Sequence, residues 1–372
     1  MKLPRDATLI DFWASILLTV FISFAFLALP ANAAPAAGDR AFTQAANQAV
    51  DRIARENGFS GVILVARGDR VLLRRAAAFA DRERNLLNTP QTRFPLASVS
   101  KQFTAAAIML LVEDGKIALA DPISKYFPIS KDFVASPPQW KEVTIKNLLT
   151  HSSGIGDNNI GNKNAALLFA PGTNYEYSNT GYWLLTGVIE KASGQTFGEF
   201  LRTRIFAKLG MQHTSNVPGP TDIVRGYSRA PDGQQQSGEP LDPTNTAGDG
   251  SLISTLDDML AWSRSLDTNS VLSASSRTAM FTDYGHGYGF GWRLSPKYGQ
   301  SLIWHTGTLS GFAAILDRFP KEELTVVAMT NSTEPTGSTA TLVIEGKETT
   351  FKANASRKLV EEVERLYFGR AP

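Results

Sequence analysis

Ser98 and Lys101 stand three residues apart in Ser98-Val99-Ser100-Lys101, a hydroxyl and an amine at the head of an apolar stretch. On a helix, side chains at i and i+3 share a face with their Cβ atoms about 5–6 Å apart, so the amine can reach the hydroxyl. A serine hydroxyl attacks poorly until a neighbour accepts its proton, and a lysine whose charge is disfavoured by burial or by other cations can do so at neutral pH. The pair therefore points to nucleophilic acyl transfer. A serine opening a helix also serves as a plain N-cap, so residues elsewhere must decide between the two readings.

Other stretches carry groups of the right chemistry. Tyr177-Ser178-Asn179 offers a phenol and an amide two residues apart in a Gly, Pro and Asn-rich loop. A phenol beside a lysine is drawn toward phenolate and becomes a general base. The same loop also reads as one that packs an aromatic ring and caps the helix after Gly181. Trp304-His305-Thr306-Gly307-Thr308 closes an extended run, where Gly307 lets a ligand approach the backbone and the Thr308 N–H could join that of Ser98 in an oxyanion hole. Leu148 to Ile155 reads as a helix ending in a polar turn and is taken as scaffold.

The elements that must hold these groups follow from periodicity and breakers. The nucleophile helix is predicted over Ser98 to Glu113, with Pro95 just ahead and Gly115 as its stop. Ser98 then sits in the first turn, where free N–H groups and the positive end of the helix dipole favour negative charge. Ala41 to Asn57 predicts an amphipathic helix, and Ser60 to Ala66 with Val71 to Phe79 predicts a hairpin around Arg67-Gly68-Asp69-Arg70. Helices are expected at Thr144 to Leu149, Gly181 to Ala192, Phe197 to Leu209 and Thr255 to Ser265, with no convincing strand among them. Pro231 to Ser237 reads as a flexible loop. Strands return at Gly289 to Leu294, Ser301 to His305, Phe312 to Phe319 and Leu324 to Thr330, the last two turning at Lys321-Glu322-Glu323. Ala355 to Phe368 predicts a closing amphipathic helix.

Strands at both ends of the chain most economically form one sheet. The predicted fold is α+β: an antiparallel sheet from residues 41–95 and 285–372, flanked by helices, with residues 96–284 inserted as a mainly helical domain. A site is expected in the cleft between them.

Composition excludes several function classes. The 372 residues are 43% apolar, enough for one large core or two smaller ones, and 37 basic against 35 acidic residues leave a net charge of +2. No field of that size attracts nucleic acid or an anionic membrane. The N-terminus carries Lys2 and Arg5, an apolar run from Phe12 to Leu29 and then Pro30-Ala31-Asn32-Ala33-Ala34. That pattern predicts a secretory signal over 1–33, a linker over 34–40 and an exported, periplasmic or secreted protein; an uncleaved anchor is the competing reading. The chain has no cysteine, so disulfides do not hold the fold. His151, His213 and His286 are scattered without paired spacing, so no metal is expected and each reads as a loop or capping residue.

Ser98-x-x-Lys101, then Tyr177-x-Asn179, then His305-Thr306-Gly307, in that order, resembles the serine beta-lactamase and penicillin-binding protein superfamily. The specific likeness is to its branch of class C beta-lactamases, D-Ala-D-Ala carboxypeptidases, esterases and D-amino-acid peptidases. Leu148–Ile155, 170–187, 248–255 and 288–292 support it. The resemblance implies Ser98 as the acylated nucleophile and Lys101 with Tyr177 as the proton-transfer pair. It implies Asn179 as a hydrogen-bonding group for Lys101 and the substrate, with His305, Thr306, Gly307 and Thr308 lining the oxyanion and substrate side. His305 departs from the lysine of many relatives, and histidine is charged only part of the time near neutral pH.

The expected function is hydrolysis of an ester or amide through an acyl-enzyme, without a cofactor. The partner is a small-molecule ester, beta-lactam or D-amino-acid peptide. A class C beta-lactamase and a non-turnover penicillin- or peptidoglycan-binding sensor are the alternatives. Tyr288, Phe290, Trp292, Trp304 and Phe312 read either as an apolar wall for an ester or as core.

Overall fold

Helix α1 (Ala37–Asn57) buries Ala46, Ala49, Val50 and Ile53 along one stripe, the face its apolar spacing predicted. It starts inside the expected linker, because Ala37-Gly38-Asp39-Arg40 continues the helix with Asp39 favourably placed in its first turn. The computed structural model describes residues 37–127, 140–157, 166–216, 224–229, 235–238, 247–333, 339–344, 347–352 and 355–369. The expected signal segment lies outside the described residues.

Strands β1 (Gly61–Arg67) and β2 (Arg70–Ala77) form the anticipated hairpin. Small pairs follow at β3 (Phe79–Asp81) with β4 (Leu86–Leu87), and β5 (Phe94–Pro95) leads to the 3-10 turn Ala97–Ser100. Helix α2 (Lys101–Glu113) continues that turn directly and is buried from Lys101 through Leu111, so it has no solvent face and no amphipathic signature. Around it stand α3 (Ile145–Leu149), α4 (Asn179–Ser193), α5 (Phe197–Leu201) and α6 (Ala207–Leu209). The single helix expected from Phe197 to Leu209 is broken by a π turn at Arg202–Phe206 and ends at Gly210, left-handed at φ 67°.

The middle of the chain is not purely helical. β6 (Tyr227–Arg229) pairs with β7 (Gln235–Ser237), whose residues fall in the stretch expected as a loop; residues 231–234 lie outside the described residues. β8 (Ile253–Ser254) pairs back to β5, and α7 (Leu256–Ser265) starts on its Thr255 cap. Helix α8 (Ala274–Met280) had no apolar stripe to announce it, and it is set by the Ser273 hydroxyl accepting from the Ser276 N–H. These two- and three-residue strands lack the length that makes alternation visible.

The late strands are β9 (Arg293–Lys297), β10 (Gln300–Leu309), β11 (Phe312–Phe319) and β12 (Leu324–Thr330). The strand expected over Gly289 to Leu294 is instead a turn followed by β9. Gly287 and Gly291 take φ of 66° and 76°, and a Cβ on Gly291 would lie 2.6 Å from the Lys101 carbonyl oxygen. β13 (Ser332–Thr333), the hairpin of β14 (Thr339–Ile344) with β15 (Lys347–Lys352), and α9 (Ala355–Phe368) complete the chain.

One six-stranded sheet has the order β2-β1-β12-β11-β10-β9, so the first and last thirds of the sequence meet at β1 and β12, with Val62 opposite Met329. Ile63 and Val65 face α1 and α9, while Val62, Leu64 and Ala66 face the helical layer. Both faces are covered, which explains why β1 and β12 read as near-continuous apolar runs instead of alternating, while β11 adds the buried Asp317 and Arg318 to its apolar first half. This is the expected α+β architecture.

Beneath α9 the sheet holds a buried charge cluster. Arg357 donates to Asp317 Oδ2 at 2.8 Å, and Lys297 donates to Glu364. Asp317 Oδ1 and Glu364 Oε1 receive no donor among the described residues, a deficit that one proton on Glu364 removes. Burial, reinforced by Asp317 against the opposing Lys297 and Arg357, pushes the Glu364 carboxyl up to about 8; Glu361 is raised by burial too. A raised carboxyl contributes stability below its unfolded value of about 4.3 and loses it as pH climbs through its folded value. The melting temperature of the protein is therefore expected to fall between pH 5 and pH 9. Glu364→Gln, neutral throughout, should flatten that slope, as thermal unfolding at stepped pH would read.

Candidate active site

Ser98 lies in the 3-10 turn that precedes α2, half-buried, behind Ala97 at a φ of 46°. A left-handed alanine is a strained residue held by its surroundings. Lys101, one turn on, is completely buried. Its ammonium is compensated by oxygens from separate segments: Ser98 Oγ at 3.3 Å, Asn179 Oδ1 at 2.7 Å and the Asp249 carbonyl at 2.6 Å. All are uncharged. Two aromatic faces add to them, Tyr177 at 5.0 Å and Tyr182 at 5.5 Å from Nζ to the ring centroid.

The Tyr177 to Asn179 spacing has a simple cause. Ser178 is the N-cap of α4, extended at φ −133° and ψ 116°, and its hydroxyl accepts from the Gly181 N–H at 3.1 Å. Residues on either side of an extended residue point the same way, so Tyr177 and Asn179 both face Lys101. The loop therefore caps a helix and at the same time brings Tyr177 and Asn179 to Lys101.

His151, assigned to scaffold with its stretch, belongs to this wall. Its Nδ1 accepts the Ser178 N–H at 3.1 Å and its ring lies 4.3 Å from that of Tyr177. Burial, with the charges of Lys101 and Arg293, pushes its pKa well below the usual histidine value, so it is a neutral prop.

His305 comes from β10 and is buried. Its Nδ1 lies 2.7 Å from the Thr306 carbonyl, which can only accept, so Nδ1 carries the proton and Nε2 accepts from the Tyr288 hydroxyl at 3.0 Å. Burial, then Arg293 and Lys101, pushes its pKa well below the ordinary value. The expectation of a part-time charge is corrected: this histidine is neutral.

The fixed cation on the wall is Arg293 of β9. Its guanidinium carbon lies 5.5 Å from the Tyr177 ring centroid, 5.8 Å from Tyr288 and 5.6 Å from Trp304. The sequence drew attention to Tyr288–Trp292 and stopped one residue short. Asp157 and Asp249 were also missed. Asp157 accepts from Asn179 and Thr180, and burial, against the pull of Lys101, raises the Asp249 carboxyl.

Gly307 joins the sheet to the nucleophile. A Cβ there would stand 2.1 Å from the Leu96 carbonyl and 2.8 Å from the Ser98 nitrogen, so β10 lies directly against the turn that carries Ser98. Thr306 is half-buried and Thr308 exposed at the same strand end. Phe290, Trp292 and Phe312 are core, while Tyr288 meets the site through His305, His151 and Tyr177, and the buried Trp304 meets it through Arg293. His213 and His286 stay in loops, with no group of metal-ligating residues among the described residues.

These positions allow acyl transfer: a hydroxyl with a directed lysine, a phenol close by, and backbone N–H groups beside the nucleophile. Gly307→Ala should force β10 off the Ser98 turn and cut kcat/KM by about 10² or more, the size of losing one oxyanion donor. His305→Gln, which preserves a neutral side chain, should leave the pH dependence between 5.5 and 7.5 unchanged, because no imidazolium is lost. Steady-state kinetics on the two variants check both.

Comparison with known proteins agrees with this geometry. A family profile described as Beta-lactamase matches residues 46–348. Penicillin-binding protein 4* of Bacillus subtilis (strain 168) is 28% identical over 77% of this chain and 71% of its own length. A D-aminopeptidase of Brucella canis is 26% identical over 74% of this chain, which spans 56% of that longer protein. Among solved structures, the penicillin-binding protein from Bacillus halodurans superposes with a TM-score of 0.71 at 25% identity, over 85% of this chain and 98% of its own. The D-amino acid amidase from Ochrobactrum anthropi SV3 complexed with D-phenylalanine gives 0.71 at 24%, over 88% and 99%, a likeness of fold. The chain belongs to the beta-lactamase family and is a serine hydrolase of its penicillin-binding-protein-like branch.

Proposed function

We propose that this chain is an exported hydrolase that acylates Ser98 with an ester or an amide of D-amino-acid type and releases the acyl group to water. One observation carries the reading: Lys101 is buried with two of its directions committed to oxygens that can only accept, Asn179 Oδ1 and the Asp249 carbonyl, so the third is aimed at Ser98.

In the first step Tyr177 acts as its phenolate: the Ser98 oxygen bonds to the substrate carbonyl carbon as its proton passes to the Tyr177 oxygen. Lys101 stabilises the oxygen as the proton leaves, and the N–H groups of Ser98 and Thr308 hold the oxyanion, each worth about 3 kcal/mol. Tyr177 then hands the proton to the leaving amine or alcohol as its bond to carbon breaks. In the second step water takes the place of the leaving group: its proton goes to Tyr177, its oxygen attacks the ester carbon, and as the bond from that carbon to Ser98 Oγ breaks Tyr177 returns the proton to Ser98 and the acid leaves.

The substrate class is supported by the D-aminopeptidase relatives and by the neutral His305. Without a lysine at that position, the positive charge that would meet an anionic substrate group comes from Arg293, one strand away. Turnover of beta-lactams is accordingly placed behind that of esters and D-amino-acid amides. Export is supported by the sequence from Lys2 to Ala34, and the mature chain is expected to begin at Ala34.

A short-chain nitrophenyl ester, a D-amino-acid amide, a D-Ala-D-Ala peptide and a chromogenic cephalosporin, assayed in parallel, test the proposal. The ester and the D-amide should turn over fastest, and Ser98→Ala should lower turnover by about 10⁴ to 10⁶. Intact-mass measurement should find a short-lived adduct on Ser98. Activity surviving Ser98→Ala would sink the mechanism, a cephalosporin turned over fastest would overturn the substrate class, and a stable penicillin adduct would favour the sensor.

A further inference from the structure

Asn179 is the one partner of Lys101 whose chemistry is reversible. A carboxamide has an acceptor end and a donor end of nearly the same shape, and a half-turn about its last bond exchanges them. Pointed the wrong way, Asn179 would present N–H groups to an ammonium that has only N–H groups to offer. Asn179 therefore needs a second neighbour of opposite polarity to fix its sense. Asp157 supplies it: Asn179 Nδ2 donates to Asp157 Oδ2 at 3.1 Å while Asn179 Oδ1 accepts from Lys101 at 2.7 Å.

The carboxylate is itself anchored. Its Oδ1 accepts the backbone N–H groups of Asn179 at 2.5 Å and Thr180 at 3.4 Å, the first amides of α4, where unpaired donors and the helix dipole hold an anion. The turn that delivers it, after Ser153-Gly154-Ile155, is fixed by Gly154 at φ 75°, where a Cβ would meet the Phe169 carbonyl at 2.3 Å. Helix end, carboxylate, amide and ammonium thus form one chain of donors and acceptors, and the last direction in it is the one left for Ser98.

We propose that Asp157 is a positioning residue for the acyl-transfer step: by accepting from the Asn179 amide it holds the Asn179 oxygen on Lys101 and so directs Lys101 at Ser98. The proposal rests on the acylation of Ser98 put forward above. A plain helix anchor would predict something different, since loss of Asp157 would then lower the melting temperature and leave acylation alone.

Polarity separates the two. Asp157→Asn is nearly isosteric and retains an oxygen for the α4 amides, but it turns the group facing Asn179 from acceptor into donor and so favours the flipped amide. The burst rate of acylation by p-nitrophenyl acetate should fall about 10- to 100-fold with KM little changed and melting within a few degrees of wild type. A burst rate within twofold of wild type in Asp157→Asn would overturn the proposal. The Asn179 side-chain NH₂ resonances, identified by their disappearance in Asn179→Asp, supply a readout that needs no catalysis. They should move on Asp157→Asn, and unmoved resonances would refute the positioning role. If the wild type forms no adduct on Ser98, the proposed acyl-enzyme falls while these resonances still decide the contact between Asp157 and Asn179.

Discussion

A lysine ammonium with no solvent exposure is costly unless each of its hydrogens meets an oxygen, and most of this site can be understood as the answer to that demand at Lys101. Its acceptors come from the turn before α2, the head of α4 and the segment before β8, which are far apart in sequence. Each segment must be in place for the charge to be tolerated, so folding the helical layer and assembling the site are one event. The tyrosine faces of residues 177 and 182 complete the enclosure without adding a carboxylate, which leaves the lysine unneutralised and directed at Ser98.

The sheet enters through backbone, not side chain. Gly307 lets β10 touch the turn that carries Ser98, and Gly291 lets the segment before β9 cross the carbonyl of Lys101. A methyl group at either place would occupy space already filled by backbone atoms. The buried cluster under α9 supports the opposite face of the same strands, since Arg357 lies over Trp304, next to His305 on β10. Charge on one face of the sheet and neutral histidine on the other are both consequences of burial, which raises a carboxyl such as Glu364 and lowers an imidazole such as His305.

Much of the architecture was legible because long elements advertise their period. The apolar stripes of α1 and α9, the largely apolar runs of β1, β11 and β12 and the glycine stops of the helices are local signals, and the structure places those elements within a few residues of expectation. Short elements were not legible, as β6, β7, β8 and α8 show, since two to seven residues held by one cap or one partner strand carry no period. The strand expected at Gly289 failed because glycines at positive φ overrode the propensity of the aromatics between them.

The sequence by itself determined the reactive groups and their order: a serine and a lysine one turn apart, a phenol and an amide flanking a cap, and a glycine at a strand end. Those are fixed by spacing along a helix or an extended residue, a distance of a few bonds. Tertiary structure decided the protonation and direction of those groups. That His305 is neutral, that Arg293 supplies the cation, that His151 props Tyr177 and that Asp157 orients Asn179 all depend on burial and on contacts between segments up to about 150 residues apart. Desolvation and hydrogen-bond geometry exist only once those segments have met.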